Sequence, residues 1–404
     1  MTAQHAAKPL QTTYFTPGAI ALAGLAILGA SVAVWRFVVG LQDSTNLTDA
    51  NPWGIWIAVD VATGVALAAG GFTTAALAHI FHRERYGALV RPAILTALLG
   101  YTFVVIGLMA DLGRPYNIWK PLIYPQGNSV LFEVAICVMT YLTVLYLEFV
   151  PVVAERFESG PPFSGRAASI ASLIRPLLKP AAAFAKVALP VLLILGVVLS
   201  FMHQSSLGTL MVIAPTKMNP LWYSPYLPAM FLLSAIMVGF PMVIVEGSWA
   251  TWAFRREPET PLLADLARFT PILLTVYLAV KLIDLASRGV LLHVVSGAPA
   301  TIWWWAEVGL GVVLPLLLLI SAKIRRSRKG LFVAALLVVL GVALNRINVF
   351  LVAYNPPFVE SRYVPAWSEI VVTLGLIAGL VLAYRWAVIT FPVLAGPHAG
   401  ESHR

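Results

Sequence analysis

The chain has 404 residues, 59% of them apolar and only 11% charged, with a net charge of +9. Apolar runs of roughly 20 residues recur from end to end, which excludes a string of soluble domains and marks an all-α, polytopic membrane protein. The basic residues sit in short loops between those runs, so they form no nucleic-acid surface, and the single cysteine, Cys137, excludes an iron–sulfur cluster, an internal disulfide or a CxxCH haem attachment.

The polar N-terminus MTAQHAAKPLQTTYFTPG leads into a first apolar segment with no cleavage site after it, so that segment is read as retained. Ten spans are expected, forming one integral membrane domain over 1–404, at about 17–39, 55–80, 89–110, 129–154, 180–202, 227–252, 269–292, 301–322, 330–353 and 367–390. The second opens with NPWGIWIAVDVATG and sets Asp60 about two turns, or ~10 Å, into the apolar run. Tyr101 lies near the middle of the third span, which closes at Asp111 with Arg114 beyond it. The fourth carries Glu133 about one turn in and Glu148 near its far end. The segment ERFESGPPFSGRAASIASLIRPLLKP, at 155–180, reads as a flexible connector without chemistry. His203, in FMHQSSLG, marks the expected end of the fifth span, followed by Gln204, and Glu246 falls in the last third of the sixth. Lys281 and Arg288 flank Asp284 on one helical face of the seventh, a local charge-paired cluster with a Lys281–Asp284 relay as the alternative. Glu307 and Arg346 are read as counter-charges to each other.

Loop charge sets the orientation. Alternate loops hold fifteen basic residues, among them Arg83, Arg85, Arg91, Arg156, Arg255, Arg256 and the run KIRRSRK at 323–329. The intervening loops hold Arg114, Lys120, Lys217, Arg288 and Arg362, or six with Arg36. Both termini are therefore expected in the cytoplasm. The sparsely charged loops, such as DLGRPYNIWKPLIYPQGNS and APTKMNPLWYSPYLP, are rich in Pro, Trp and Tyr. Half of that reads as an interfacial aromatic belt, and the rest as an ordered docking platform for a protein on the outer side.

Ionisable groups at membrane depth are costly and default to functional candidates. Asp60, Tyr101, Glu133 and His203 fall in the outer half of four different helices, so they are expected to line one cavity and exchange protons, with Glu246 as an inner stepping stone. The bland reading pairs each carboxylate with Arg91, Arg114 or Arg346 for packing alone. A bis-histidine haem has only His79, His82, His203 and His293 to draw on outside the tails, and only His203 with His293 offers a conceivable pair.

The runs PWGIWIAVD, LVRPAILTALLGY, NSVLFEVAICV, MHQSSLGTLM, FPMVIVEGS and PAWSEI together resemble the integral membrane subunits of hydrogenase-2-type [NiFe]-hydrogenases (HybB type), within the NrfD-like, or polysulfide-reductase membrane-subunit, family. The resemblance spans about residues 15 to 390. It implies a quinone-reactive subunit of a respiratory complex in a bacterial inner membrane, with menaquinone or ubiquinone as substrate and no haem or iron–sulfur cluster of its own. The implied partners on the periplasmic face are a ferredoxin-like iron–sulfur subunit and the small and large hydrogenase subunits. The family's polar positions map onto Asp60, Tyr101, Glu133, His203 and Glu246, and Trp53, Asp111, Arg114 and Gln204 complete the candidate quinone-binding set. Other readings stay open. A different NrfD-like oxidoreductase, acting on polysulfide or nitrite, would share these features. A proton-coupled transporter would show Gly- or Pro-broken helices in matching halves, whereas GVALAAGG at 64–71 is the only Gly-rich run. A passive anchor would need one or two spans and no buried acids.

Overall fold

Hydrocarbon offers the backbone no partners, so each apolar run closes its own hydrogen-bond ladder. The computed structural model describes residues 7–158, 166–257, 259–357, 359 and 362–394, and among them ten helices are long and apolar enough to cross a membrane. These are α1 (Pro17–Val39), α2 (Trp56–Ile80), α3 (Glu84–Asp111), α4 (Val130–Glu158), α5 (Arg166–Val212), α6 (Leu227–Ala253), α7 (Thr270–Ser287), α8 (Pro299–Ile320), α9 (Arg328–Val352) and α10 (Trp367–Thr390). Ten spans of alternating direction put the start of α1 and the end of α10 at one end of the bundle, the one that also carries the run KIRRSRK. That is the basic end below, and the opposite one the sparse end.

The fifth helix departs most from expectation. Residues 166–179, read as connector, are already helical, and the helix continues past His203 to Val212. Local hydroxyls explain the extension. Ser205 Oγ donates to Phe201 O (2.6 Å), Ser206 Oγ to Met202 O (2.7 Å) and Thr209 Oγ1 to Ser205 O (3.1 Å), so the polar run QSSLGT folds back on its own helix instead of ending it. The remainder of the expected connector, 159–165, lies outside the described residues. The seventh helix stops at Ser287, which leaves His293 in a 3₁₀ turn, Leu291–Val295, beyond it.

Helices α2 to α5 pack as a closed ring, each against the next, with α5 returning to α2. Helices α6 to α9 form a second ring of the same kind. The two rings meet where α5 and α2 pack on α6 and where α9 reaches α2. Outside both, α1 and α10 pair lengthwise and lean on α3. The N-terminal segment is pinned to the last turns of α10. Leu10 N donates to Val388 O (3.1 Å), Tyr14 Oη to Leu382 O (3.3 Å) and Arg385 Nε to Tyr14 O (3.0 Å).

Four stretches widen into π-helical turns: Trp56–Thr63, Ala76–Ile80, Ala306–Val313 and Asn348–Val352. Such turns concentrate at functional sites. Here Asp60, Glu307 and Asn348 each occupy one. Arginines staple the basic end: Arg91 binds Glu155 (2.7 Å) and Pro392 O (2.9 Å), while Arg85 and Arg268 both pair with Asp265. At the sparse end two loops are tied to each other, with Asn219 N donating to Ala353 O (2.8 Å) and Asn355 N to Lys217 O (2.7 Å).

Candidate functional site

The centre of the first ring is a file of polar side chains. His203, 1% exposed on α5, places Nδ1 at 3.2 Å from the Tyr101 hydroxyl of α3. The Tyr101 ring meets Tyr141 of α4 edge-on, with centroids 4.6 Å apart. One turn beyond His203, Ser206 Oγ donates to Glu133 Oε1 at 2.6 Å. Along α4, Glu133, Tyr141 and Glu148 recur at spacings that keep them on one face and span about 22 Å of helix axis. Glu148 borders a small recess shared with Tyr141, Gly71, Phe72 and Gly196. The order from the sparse end inward is Glu133, Ser206, His203, Tyr101, Tyr141, Glu148.

The His203–Tyr101 contact and the Ser206–Glu133 bond therefore stand one turn of α5 apart, with no hydrogen bond between the two pairs among the described residues. Glu133 lies in the first turn of α4 and is exposed, shallower than a membrane-buried acid. Asp60 is placed elsewhere. Its Oδ2 accepts from Thr373 Oγ1 of α10 (2.7 Å), and it rests against α3 at Gly107, where an added Cβ would lie 2.9 Å from the Asp60 Cβ. Asp60 thus faces α3 and α10 rather than the His203 file. Glu246 of α6 accepts from the Tyr384 hydroxyl of α10 (2.7 Å), and its Oε2 is buried without a partner among the described residues. Arg91 is taken by Glu155, Arg114 is exposed, and Arg346 binds Asn345 and Ser234, so the hydrogen-bond partners of Asp60, Glu133 and Glu246 are hydroxyls.

The flanking candidates divide likewise. Gln204 Nε2 donates to Val65 O (2.8 Å), which ties α5 to α2, and its Oε1 is buried and unpartnered among the described residues. Trp53 packs edge-on against Phe350 of α9, with centroids 6.1 Å apart. Asp111 ends α3 near Arg36, whose Nη2 donates to Leu112 O (2.6 Å), and Arg114 follows at the surface. In the loop before α10, the Tyr363 hydroxyl donates to Glu369 Oε1 (2.5 Å) and accepts from Ile55 N (3.0 Å), closing the sparse end above α2. Burial and the adjoining carboxylate push the Tyr363 phenol well above its ordinary range.

Sequence reasoning did not reach Ser206, Tyr141, Thr373 or Tyr384. Ser206 stands three residues after His203 and was within reach of helical periodicity once α5 was known to continue. Thr373 and Tyr384 carry no local signal. In the second ring, Asp284 pairs with Arg288 (2.6 Å), as the spacing suggested, but Lys281 pairs with Glu307. Asn345 stands between Glu307 and Arg346, binding both, so these two are not direct counter-ions.

The described histidines form no pair of buried, facing imidazoles. Among the described ones only His203 is buried, and Tyr101 occupies its Nδ1, while His79, His82 and His293 are exposed. No group of three or more His, Cys, Asp or Glu side chains that could hold a metal ion occurs among the described residues.

Residues 43–357 match the family profile described as "Polysulphide reductase, NrfD". Three relatives are similar over most of their length. A protein of Nitratidesulfovibrio vulgaris strain Hildenborough is 40% identical over 389 residues, 94% of this chain and 95% of its own. The "Probable Ni/Fe-hydrogenase 2 b-type cytochrome subunit" of Escherichia coli K12 is 33% identical over 397 residues, 96% of this chain and 95% of its own. The "Menaquinone reductase, integral membrane subunit" of Nitratidesulfovibrio vulgaris is 26% identical over 387 residues, 89% and 88% of the two chains.

Proposed function

The chain belongs to the polysulphide reductase NrfD family, and from that premise we propose that it is the quinone-reactive membrane subunit of a respiratory [NiFe]-hydrogenase. It passes electrons between an iron–sulfur subunit docked on its outer face and the membrane quinone pool, with protons moving through its own side chains. It lies in a bacterial inner membrane with both termini in the cytoplasm, so the sparse end faces outward, as the excess of Lys and Arg at the basic end supports. The hydrogenase partners rest on the similarity to the Escherichia coli subunit, and menaquinone as the carrier on the similarity to the menaquinone reductase subunit. Exposed Tyr116, Trp119, Ile123 and Tyr124 in the loop between α3 and α4 supply the apolar contact area a docked subunit requires.

The observation that carries this reading is the His203 file. With the Tyr101 O–H donating to Nδ1, His203 holds its proton on Nε2, which is buried and unpartnered among the described residues. That is the donor a quinone carbonyl needs. Reduction of a quinone by two electrons takes up two protons, and an apolar site solvates the charged product poorly, so donors must stand close. Glu133 and Asp60 stand in the sparse half of their helices, and we assign them quinone contact or the last proton transfer. Tyr101 and Tyr141 lead inward to Glu148, while Glu246 with Tyr384 forms a separate inner station. Protons drawn from the cytoplasmic side would make the reaction electrogenic, at about 2.3 kcal/mol per charge moved against 100 mV.

The test is hydrogen-driven reduction of a menaquinone analogue by the purified complex. Glu133→Gln and Asp60→Asn should each lower that rate about 10- to 100-fold while assembly and hydrogen oxidation with a soluble dye stay intact. Normal quinone turnover in both variants would overturn the relay.

A further inference from the structure

Arginines at the basic end are held more firmly than exposed arginines usually are. Tyr86, fully buried at the start of α3, donates its hydroxyl proton to Asp265 Oδ2 (2.6 Å). That bond ties the α2–α3 turn of the first ring to the helix Thr260–Leu266, which leads into α7 and the second ring. Arg85 Nη2 donates to Tyr86 Oη (2.7 Å) and pairs with the same Asp265 oxygen, and its guanidinium lies 4.8 Å from the centroid of the Tyr86 ring. Arg268 Nη1 takes the other oxygen, Asp265 Oδ1, at 2.9 Å. Arg83 stands within electrostatic reach of the Tyr86 hydroxyl. The run KIRRSRK adds a more diffuse positive field, since its helix Ala322–Arg326 packs on Thr260–Leu266.

Two guanidinium groups thus flank one carboxylate and stay exposed. Among the described residues Arg85 engages the protein through Nη2 and Arg268 through Nη1, which leaves most of their N–H donors facing outward. Arg83, Arg85 and Arg268 outweigh Asp265 and the exposed Glu84 by one positive charge. Arg85 is already fixed by an aromatic ring, a hydroxyl and a carboxylate, so it gives up little side-chain freedom when it clamps an anion. Apolar surface begins beside these donors. Phe81, 68% exposed, stands two residues before Arg83, and Ile272, 64% exposed, and Val276 follow Arg268 by one and two turns on α7. An anion bound here has arginines around it and hydrocarbon-facing side chains next to it. Free phosphate would leave that apolar flank unused, and a zwitterionic lipid would bring an ammonium group that the arginines repel.

We propose that Arg83, Arg85 and Arg268 form a binding site for the phosphodiester of an anionic membrane phospholipid such as phosphatidylglycerol, with its acyl chains along Phe81 and Ile272. The single negative charge of the phosphodiester matches the single excess positive charge of the cluster, and its paired oxygens suit the forked donors of arginine. Because Arg85 belongs to the first ring's turn and Arg268 to the segment entering the second, the bound lipid fastens the two rings together at the basic end.

The test needs neither quinone nor partner, so failure of the hydrogenase reading does not touch it. The full chain, purified in mild detergent, is titrated with phosphatidylglycerol, phosphatidylcholine or inorganic phosphate. Bound lipid is counted by native mass spectrometry, and the unfolding temperature is read against each variant's own lipid-free value. Phosphatidylglycerol should be retained and should raise the unfolding temperature, while the other two leave it unchanged. Arg85→Gln and Arg268→Gln should each weaken retention about tenfold or more. Arg83→Gln removes no side-chain hydrogen bond or ion pair among the described residues, so it keeps the fold's own contacts and should still weaken retention several-fold. Lys329→Gln, in the diffuse field, should bind as the native chain does. Equal retention of phosphatidylcholine, an equal response to phosphate alone, or native retention in Arg83→Gln and Arg268→Gln overturns the proposal. A loss in Lys329→Gln as large as in Arg268→Gln does so too.

Discussion

A carboxylate beside an arginine is stabilised only as the anion, whereas one beside a hydroxyl is served in both states, because the hydroxyl donates to the anion or accepts from the acid. Thr373, Ser206 and Tyr384 give Asp60, Glu133 and Glu246 that second kind of setting. The same logic applies to His203, whose free Nε2 depends on Tyr101 holding Nδ1. Tyr101→Phe should therefore lower hydrogen-driven quinone reduction about 10- to 100-fold with the fold intact, as checked by thermal unfolding of the complex. Unchanged turnover would mean that the phenol only packs. The acids and the imidazole were legible from the expense of charge in an apolar run. Their partners were not, since Thr373 is 313 positions from Asp60 and Tyr384 is 138 from Glu246, distances across which sequence pattern carries no pairing information.

At the level of helices, the small residue opposite each functional side chain matters as much as the side chain itself. Gly107 lets α3 approach Asp60 so closely that any Cβ would meet it at 2.9 Å. Gly107→Ala should push α2 and α3 apart at a cost of about 1–3 kcal/mol and move Asp60 off Thr373. A lower unfolding temperature together with reduced quinone turnover is the expected result, and neither change would contradict the contact. Helix α5 shows where sequence reading goes astray at this scale. FMHQSSLGT loses hydropathy just where a span was due to end, yet its serines and threonine bond the preceding turn and prolong the helix, so His203 stands within it rather than at its tip. The π-turns at Asp60 and Glu307 were equally unreadable, because the runs that form them are as apolar as an ordinary α-helix.

For the molecule as a whole, ten spans, the all-α class and the family were legible because a bilayer imposes length and apolarity on every crossing. The division into two rings was not, since ring membership depends on which faces meet and the helices are apolar nearly all round. Orientation can be checked without removing the native thiol, because Cys137 is only 2% exposed. Single cysteines at Arg326 and Gln126 should react with a membrane-impermeant maleimide from opposite sides of sealed vesicles, Gln126→Cys from the periplasmic side. Labelling of both from one side would overturn the placement of these loops on opposite faces, and exchanged sides would reverse the orientation. The pairing of α1 with α10 has a consequence for biosynthesis. Helix α1 must wait for α10, far later in the chain, before it gains its main neighbour, and the segment around Leu10 finds its carbonyl acceptor only when Val388 has been translated. Until α10 is made, one flank of α1 stays without its protein neighbour, so arrival of α10 is the step that closes this side of the fold.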